Sequence, residues 1–134
     1  MEYTNAMILV VDDEPNVRSL CKAILERNGF RSILAANGKE GLDLFRVQQH
    51  EISLVLADIK MPVMNGVEMV HEIFRLKPHA NVIAMSGFGV DLLLPDDLKK
   101  LCSSLGKPFT PQELVAAIIK CLEYEEERRR QVIL

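Results

Sequence analysis

Short runs of apolar and β-branched residues recur along the chain and alternate with longer segments of helical periodicity. Three of the runs are almost continuously apolar, which is typical of strands buried on both faces of a sheet. The fifth run is weaker than the others. The predicted strands are AMILVV (6–11), RSILA (31–35), ISLVLA (52–57), NVIAM (81–85) and SSLGK (103–107).

Helical periods fill the intervals between these runs. The first helix has Pro15 in its first turn and Gly29 at its end, where each residue is favoured. The second opens at Asn37 with Glu40 three residues later, a variant of the capping box. The predicted buried faces of the first and third helices are Val17, Leu20, Cys21, Ile24 and Leu25, and Val67, Val70, Ile73 and Phe74.

The last two helical segments differ in strength. The final helix has the clearest start, with Thr110 as N-cap, Pro111 at the first helical position and Glu113 completing a capping box. The segment GFGVDLLLPDDLKKLC (87–102) is the least regular and supports at most a short helix from Pro95 to Cys102. Because its helix signals are weak, we expect residues 87–97 either to be mobile in one state of the protein and ordered in another, or to form a static loop whose leucines pack under the fifth strand.

Strict alternation of strands and helices predicts an α/β fold, with a parallel sheet and helices on both faces. Binding sites in such sheets lie beyond the carboxyl ends of the strands. If the first strand is central and lies beside the third, the acidic residues at their ends converge. The polar residues at the strand ends are Asp12 and Asp13, Asp58, Ser86 and Lys107.

Each of these residues alone has an ordinary explanation. An aspartate at a strand end is most often a turn residue or a helix cap, and Ser86 and Lys107 could be a loop hydroxyl and a solvated charge. Asp58 is harder to explain in this way, because a shaped loop with Met61, Pro62 and Gly66 follows it. The occurrence of all of them, each at its own strand end, indicates a site.

The chemistry of these groups is complementary. Crowded carboxylates need neutralisation, and hard oxygen ligands suit Mg²⁺. A carboxylate beside a cation, an ammonium and a hydroxyl matches a phosphoryl group, and an aspartate can itself be the nucleophile.

Composition narrows the class of protein. The chain has 134 residues, enough for one domain, and 16 basic against 19 acidic residues give a net charge of −3, so nothing indicates a nucleic-acid partner. No segment is long and apolar enough for a membrane span. Cys21, Cys102 and Cys121 are widely spaced without a CxxC motif, so we expect three reduced thiols in a cytoplasmic protein. Cys21 and Cys121 should face the core from helices on the same side of the sheet.

Four motifs together resemble the receiver domain of two-component response regulators, over residues 6–123. They are VVDDE (10–14), DIKMPVMNG (58–66), AMSG (84–87) and KPF (107–109). The resemblance implies a flavodoxin-like, doubly wound five-stranded sheet in the order 2-1-3-4-5. It also implies a receiver domain at 1–123 and a helical extension or tail at 124–134.

The same resemblance implies a role for each site residue. Asp58 is expected to be the phosphoacceptor, taking its phosphoryl group from a phosphohistidine on a histidine kinase or phosphotransfer protein. Asp12, Asp13, Asp58 and the main-chain carbonyl of Lys60 are expected to bind Mg²⁺. Ser86 is expected to be the switch hydroxyl, and Lys107 the ammonium that contacts the phosphoryl group, with a cis peptide before Pro108.

The chain also departs from the family pattern. Ser104 stands three residues before Lys107, where family members usually carry an aromatic residue, and Phe88 is the nearest aromatic that could substitute for it. We expect an effector or a second copy to bind through 87–105 and the last helix. The domain would catalyse only its own phosphorylation and dephosphorylation.

Other functions fit less well. A haloacid dehalogenase-type phosphatase needs Asp-x-Asp after the first strand, and a flavodoxin-like flavin binder needs a hydroxyl-rich loop where this chain has DDEPN. A receiver-fold docking module that works without phosphorylation is the alternative to the phosphoacceptor.

Overall fold

Five strands and five helices alternate along the chain. The computed structural model describes residues 5–61, 64–87 and 92–133. The strands are β1 Met7–Val11, β2 Arg31–Ala35, β3 Ile52–Asp58, β4 Val82–Ser86 and β5 Ser103–Gly106. The helices are α1 Pro15–Arg27, α2 Gly38–Gln48, α3 Gly66–Leu76, α4 Pro95–Lys100 and α5 Pro111–Ile133.

The strands form one parallel sheet in the order β2-β1-β3-β4-β5. This order and the α/β class confirm the expected flavodoxin-like fold. The register aligns the carboxyl ends of the strands, because Val11 lies opposite Ala57, and Ser86 lies opposite Gly106. Residues that follow or close these strands therefore meet at one edge.

Alternate residues of β1, β2, β3 and β4 supply two separate hydrophobic layers. Leu9 and Val11 of β1 pack in the layer that contains the buried faces of α2 and α3. Ile8 and Val10 face the opposite layer, with α1 and α5. The sheet is thus covered on both sides, as the continuous apolar runs predicted.

Local capping contacts fix where the helices begin. Asn37 accepts a hydrogen bond from the backbone N–H of Glu40 at 2.8 Å. Thr110 and Glu113 exchange two hydrogen bonds of 3.1 Å, a complete capping box. Gly29 has φ 84°, the left-handed conformation expected just beyond the end of α1. The capping predictions are confirmed.

Two expectations about the helices need adjustment. Leu20, expected on the buried face of α1, is 51% exposed, so that part of the prediction is wrong. Helix α4 ends at Lys100, before the expected Cys102. The predictions for Phe88 and Pro62, and for residues 88–91 of the expected mobile segment, lie outside the described residues.

The expectation of three reduced thiols is wrong. Cys102 and Cys121 form a disulfide across a Cα–Cα distance of 5.9 Å. Its cause is tertiary: Cys102 lies immediately before β5, and α5 turns Cys121 toward the same layer of the core. Cys21 is free and buried in that layer, so the expected side of the sheet is confirmed for both helices. Cysteine usage therefore no longer supports a reducing compartment.

Candidate functional site

The carboxyl ends of the strands bring together the polar residues that the sequence singled out. Asp12 follows β1, Asp58 closes β3, Ser86 closes β4, and Lys107 follows β5. Carboxylate oxygens of Asp12, Asp13 and Asp58 lie within 4.8 Å of one another. The expected convergence of the acids is confirmed in space, because β1 is central and neighbours β3.

Asp12 accepts hydrogen bonds from three other residues. Its side chain is fully buried, and one carboxylate oxygen accepts a 2.7 Å hydrogen bond from the Lys107 ammonium. The other oxygen accepts a bond of 2.9 Å from the backbone N–H of Glu14. Arg18 donates to the Asp12 main-chain carbonyl at 2.7 Å. These contacts satisfy a charge that burial would otherwise make costly.

Asp58 is 5% exposed and has weaker partners than Asp12. The backbone N–H of Lys60 donates to one carboxylate oxygen at 3.2 Å, and the Lys107 ammonium lies 3.6 Å from the other. Burial and the neighbouring charge of Asp12 raise the pKa of Asp58 to about 7, against the opposing effects of Lys107 and the Lys60 N–H. A second positive charge in the pocket would favour the ionised carboxylate.

Lys107 is the shared cation of the site. Burial alone would lower the pKa of its ammonium, but the hydrogen bond to Asp12 and the charges of Asp12, Asp58 and Glu14 outweigh burial and raise that pKa. The ammonium lies 3.6 Å from Glu14, a contact the sequence analysis did not anticipate. The Lys107–Pro108 peptide is cis, as predicted.

Ser86 completes the row of strand ends. It is buried, and its main-chain carbonyl accepts a 3.0 Å hydrogen bond from the backbone N–H of Lys107. Its position at the end of β4, between the ends of β3 and β5, is the one expected for the switch hydroxyl.

The loop after Asp58 packs closely against that residue. A Cβ atom on Gly66 would overlap the carbonyl oxygen of Asp58, and would lie 2.5 Å from Cα of Ile59. The backbone N–H of Gly66 donates to the Ile59 carbonyl at 2.9 Å. Asn65 caps α3 by accepting from the N–H of Glu68 at 2.9 Å. Only glycine at 66 lets α3 begin so near Asp58.

The donor set fits a divalent cation. Three carboxylates, two of them buried, face one another, and the Lys107 ammonium lies beside Asp12 and Asp58. Hard anionic oxygens in such a cluster are the ligands that Mg²⁺ prefers. The role expected for the Lys60 main-chain carbonyl as a further ligand stays a prediction.

Comparison with known proteins identifies the family. The model of the response regulator receiver domain matches residues 8–119. The chain belongs to the response regulator receiver domain family. As a receiver domain it is a phosphoacceptor module of two-component signalling, which settles the choice against the phosphatase and the flavin binder.

Individual relatives agree with this assignment. The chain is 31% identical over 119 residues to sporulation initiation phosphotransferase F of Bacillus subtilis, across 88% of this chain and 94% of that one. A receiver domain protein from Clostridium thermocellum superposes with a TM-score of 0.82 at 30% identity, over 96% and 99% of the two chains. The regulator TrrA of Thermotoga maritima, solved with Mg²⁺ and a beryllium fluoride, gives a TM-score of 0.78 at 33% identity, over 87% and 99%.

None of the helices in the described part of this receiver domain is long and apolar enough to cross a membrane.

Proposed function

We propose that Asp58 is the phosphoacceptor, and that it takes its phosphoryl group from a phosphohistidine of a histidine kinase or phosphotransfer protein. One observation carries the proposal. The buried Asp58 carboxylate stands at a strand end between the Lys107 ammonium and the other two acids of the cluster. The sporulation relative, itself named a phosphotransferase, supports a phosphorelay partner.

The reaction needs an ionised Asp58. A carboxylate oxygen of Asp58 attacks phosphorus, an O–P bond forms, and the N–P bond of the donor breaks with its electron pair left on the imidazole nitrogen. Because burial raises the pKa of Asp58 to about 7, positive charge in the pocket favours the reactive form. Lys107, 3.6 Å from Asp58, supplies one such charge and a donor for the phosphoryl oxygens.

Mg²⁺ is the proposed cofactor. Asp12, Asp13, Asp58 and the main-chain carbonyl of Lys60 would hold it, and when bound it would supply the positive charge that offsets both the acids and the phosphoryl oxygens. The complex of TrrA with Mg²⁺ and a beryllium fluoride supports this choice.

Ser86 is proposed to donate to the bound phosphoryl group and to report its presence to β4 and the segment that follows. The domain would act only on its own phosphorylation and dephosphorylation. The proposed docking surface for an effector or a second copy comprises 87–105 and the exposed face of α5. The cytoplasmic location stays a proposal, which rests on the family and not on the cysteines.

The residue range of the domain is also a proposal. The receiver domain would span 1–123, and 124–134 would be a helical extension. Helix α5 runs to Ile133, and within the extension Glu125 pairs with Arg129 at 3.1 Å and Glu126 with Arg130 at 2.9 Å. Such pairs, four residues apart, support a solvated helix.

The test is phosphorylation by a small phosphodonor such as acetyl phosphate, followed by intact-mass spectrometry. The wild-type chain should gain one phosphoryl group with Mg²⁺ and none with a chelator. Asp58→Asn should gain none, because an amide is not a nucleophile. Asp43→Asn, a change on the exposed face of α2, should behave as wild type.

Labelling of Asp58→Asn at the wild-type rate would contradict the assignment. No labelling of the wild type by acetyl phosphate or by phosphohistidine donors would favour the docking module that works without phosphorylation.

A further inference from the structure

A cavity opens beside the amino ends of β4 and β5, whereas Asp58 lies at the carboxyl end of β3. Its volume is about 430 Å³, within the range of small-molecule sites. Three segments line it: the connection from α3 to β4, the end of α4 with its connection to β5, and the middle of α5. None of the residues around Asp58 contributes to it.

The lining of this cavity is strongly basic. Lys99 and Lys100 come from the last turn of α4, and Lys120 and Arg128 come from α5. Among the residues that the structure describes, no aspartate or glutamate lines the cavity. This concentration of positive charge is unexpected in a chain whose net charge is −3.

None of these four cations has a carboxylate within ion-pair distance in the part of the chain that the structure describes. The neighbouring arginines of α5 behave differently, since Arg129 and Arg130 pair with Glu125 and Glu126. The arginines beside the cavity thus have direct carboxylate partners that its four lining cations lack among the described residues, although the Glu125 carboxylate accepts a 2.8 Å hydrogen bond from the lining residue Asn81.

Two of the cavity cations are positioned by neutral groups. Arg128 donates to the main-chain carbonyl of His79 at 3.5 Å, which leaves most of its donors available. The Lys100 ammonium lies 5.7 Å from the centroid of the Phe74 ring, within the range of a cation–π contact. Such partners orient a cation without cancelling its charge.

The rest of the lining combines the polar residues His79 and Asn81 with apolar and aromatic side chains. Pro78, Ala80 and Leu101 contribute apolar surface, and Tyr124, which also lines the cavity, is 62% exposed. An exposed ring next to apolar side chains offers a stacking surface for a planar group. Cations and this surface together favour a ligand with an anionic end and an aromatic body.

We propose that this cavity binds a small aromatic phosphate of the size of a mononucleotide. The phosphate is held by Lys120 and Arg128, with Lys99 and Lys100 adding to the attraction, and the planar ring packs on Tyr124. The cavity shares no residue with the carboxylate cluster around Asp58, so binding to it can be measured on the unphosphorylated chain.

The experiment is a titration of the ¹⁵N-labelled, unphosphorylated chain with AMP, followed by NMR. Adenosine, which lacks the charge, and pyrophosphate, which lacks the ring, are the comparison probes. AMP should cause saturable shifts in the residues that line the cavity, and both comparison probes should bind more weakly. Because surface charges are screened by salt, the affinity for AMP should fall as the salt concentration rises.

The variant Lys120→Gln/Arg128→Gln should weaken AMP binding about tenfold or more, since charge-assisted hydrogen bonds are lost. Arg130→Gln, a change on the same helix outside the cavity, is the control and should bind as wild type. An unchanged spectrum away from the cavity shows that the double variant is folded.

The proposal is overturned if saturating AMP leaves the lining residues unshifted, or if the folded double variant binds AMP as tightly as wild type. Equal binding of pyrophosphate and AMP at these residues would overturn the aromatic part of the ligand assignment.

Discussion

Asp58 is buried, but its charge is only partly neutralised by its neighbours. Its ionised form is therefore less well stabilised than that of Asp12. Asp12 receives the short contact to Lys107, at 2.7 Å, whereas Asp58 lies 3.6 Å from the same ammonium. One cation therefore serves two buried acids, and the acid with the poorer contact has its pKa raised to about 7. The chemistry proposed for Asp58 thus works against the stability of the metal-free protein.

We predict that Asp58→Asn stabilises the metal-free protein at pH 8 by about 1–3 kcal/mol. An acid whose pKa is higher in the folded than in the unfolded state holds a proton that the unfolded chain has lost. Wild-type stability should therefore fall as pH rises from about 4 to about 7, and asparagine should remove that fall. Urea unfolding in the presence of a chelator, at several pH values, measures the effect.

Asp43→Asn is the control for this experiment, because Asp43 is exposed and makes only surface ion pairs with Lys39 and Arg46. Its stability should follow the wild-type curve. An Asp58→Asn variant that is no more stable than wild type at pH 8 would show that folding does not destabilise the ionised form of Asp58.

The residues of the site could be predicted because each is next to a strand whose apolar run is visible in the sequence. When neighbouring strands are parallel and in register, their carboxyl ends lie side by side. Glu14 could not be found in this way, since its contact with Lys107 depends on where the long lysine side chain points. The same is true of Asp97 in the first turn of α4, which is buried and shares a 2.9 Å hydrogen bond with His71 of α3.

At the scale of elements, the first residue of α3, Gly66, packs directly against the backbone of Asp58 and Ile59. We predict that Gly66→Ala destabilises the protein by about 1–3 kcal/mol, because the added Cβ meets backbone atoms that have no rotamer to change. Phosphorylation of Asp58 should slow as well, since relief of the overlap moves that residue or α3. Urea unfolding and acetyl phosphate labelling measure the two effects.

Gly106→Ala is the matched control, because a Cβ atom there has no neighbour within 4 Å. It should change both measurements little. If Gly66→Ala were as stable and as reactive as Gly106→Ala, the close approach of α3 to β3 would not constrain the site.

The disulfide that joins Cys102, just before β5, to Cys121 of α5 leads to a prediction about thiol reactivity. The native chain should react very slowly with a thiol reagent, because Cys21 is buried and burial raises its pKa to about 11, with the charge of Asp12 adding to the effect. Denaturation without reductant should expose one reactive thiol, and denaturation with reductant all three. Three fast thiols in the native chain would contradict both the burial and the disulfide.

Local and distant contacts differ in how well the sequence predicts them. The capping contacts of Asn37 and Thr110 span three residues, so residue type and spacing were enough to find them. The Cys102–Cys121 pair depends on how α5 lies over β5, and no periodicity encodes that. Leu20 has the right spacing for the buried face of α1 but is exposed and does not belong to the core layer between α1 and α5.

For the molecule as a whole, alternation of strands and helices predicted the class of fold, but not the order of the strands. Periodicity is the same for every order of a parallel sheet. The order 2-1-3-4-5 was available only through the family motifs, and the structure confirms it. This order puts β4 and β5 on the side of Asp58 away from β1, with Ser86 at the end of β4 opposite Gly106 of β5.

The last prediction concerns how phosphorylation of Asp58 affects the segment around α4. Helix α4 has only six residues; Leu93 and Asp97 anchor it in the interior, whereas Leu92 and Leu94 are exposed. Ser104 is too small to provide the aromatic motion usual in the family, so we expect the response to be carried by the segment before and within α4. A short helix with few buried anchors has low local stability and is easily ordered by a ligand.

We predict that Mg²⁺ with fluoroberyllate, a phosphoryl mimic, slows amide hydrogen exchange in residues 92–100, while α1 on the opposite side of the sheet changes little. Asp58→Asn, which lacks the carboxylate that the mimic requires, should show no slowing and serves as the control. Equal exchange of 92–100 with and without the mimic, despite its binding at Asp58, would show a static α4. That result would exclude an ordering switch in this segment and leave the phosphorylation site intact, because the carboxylate cluster at the strand ends does not depend on α4.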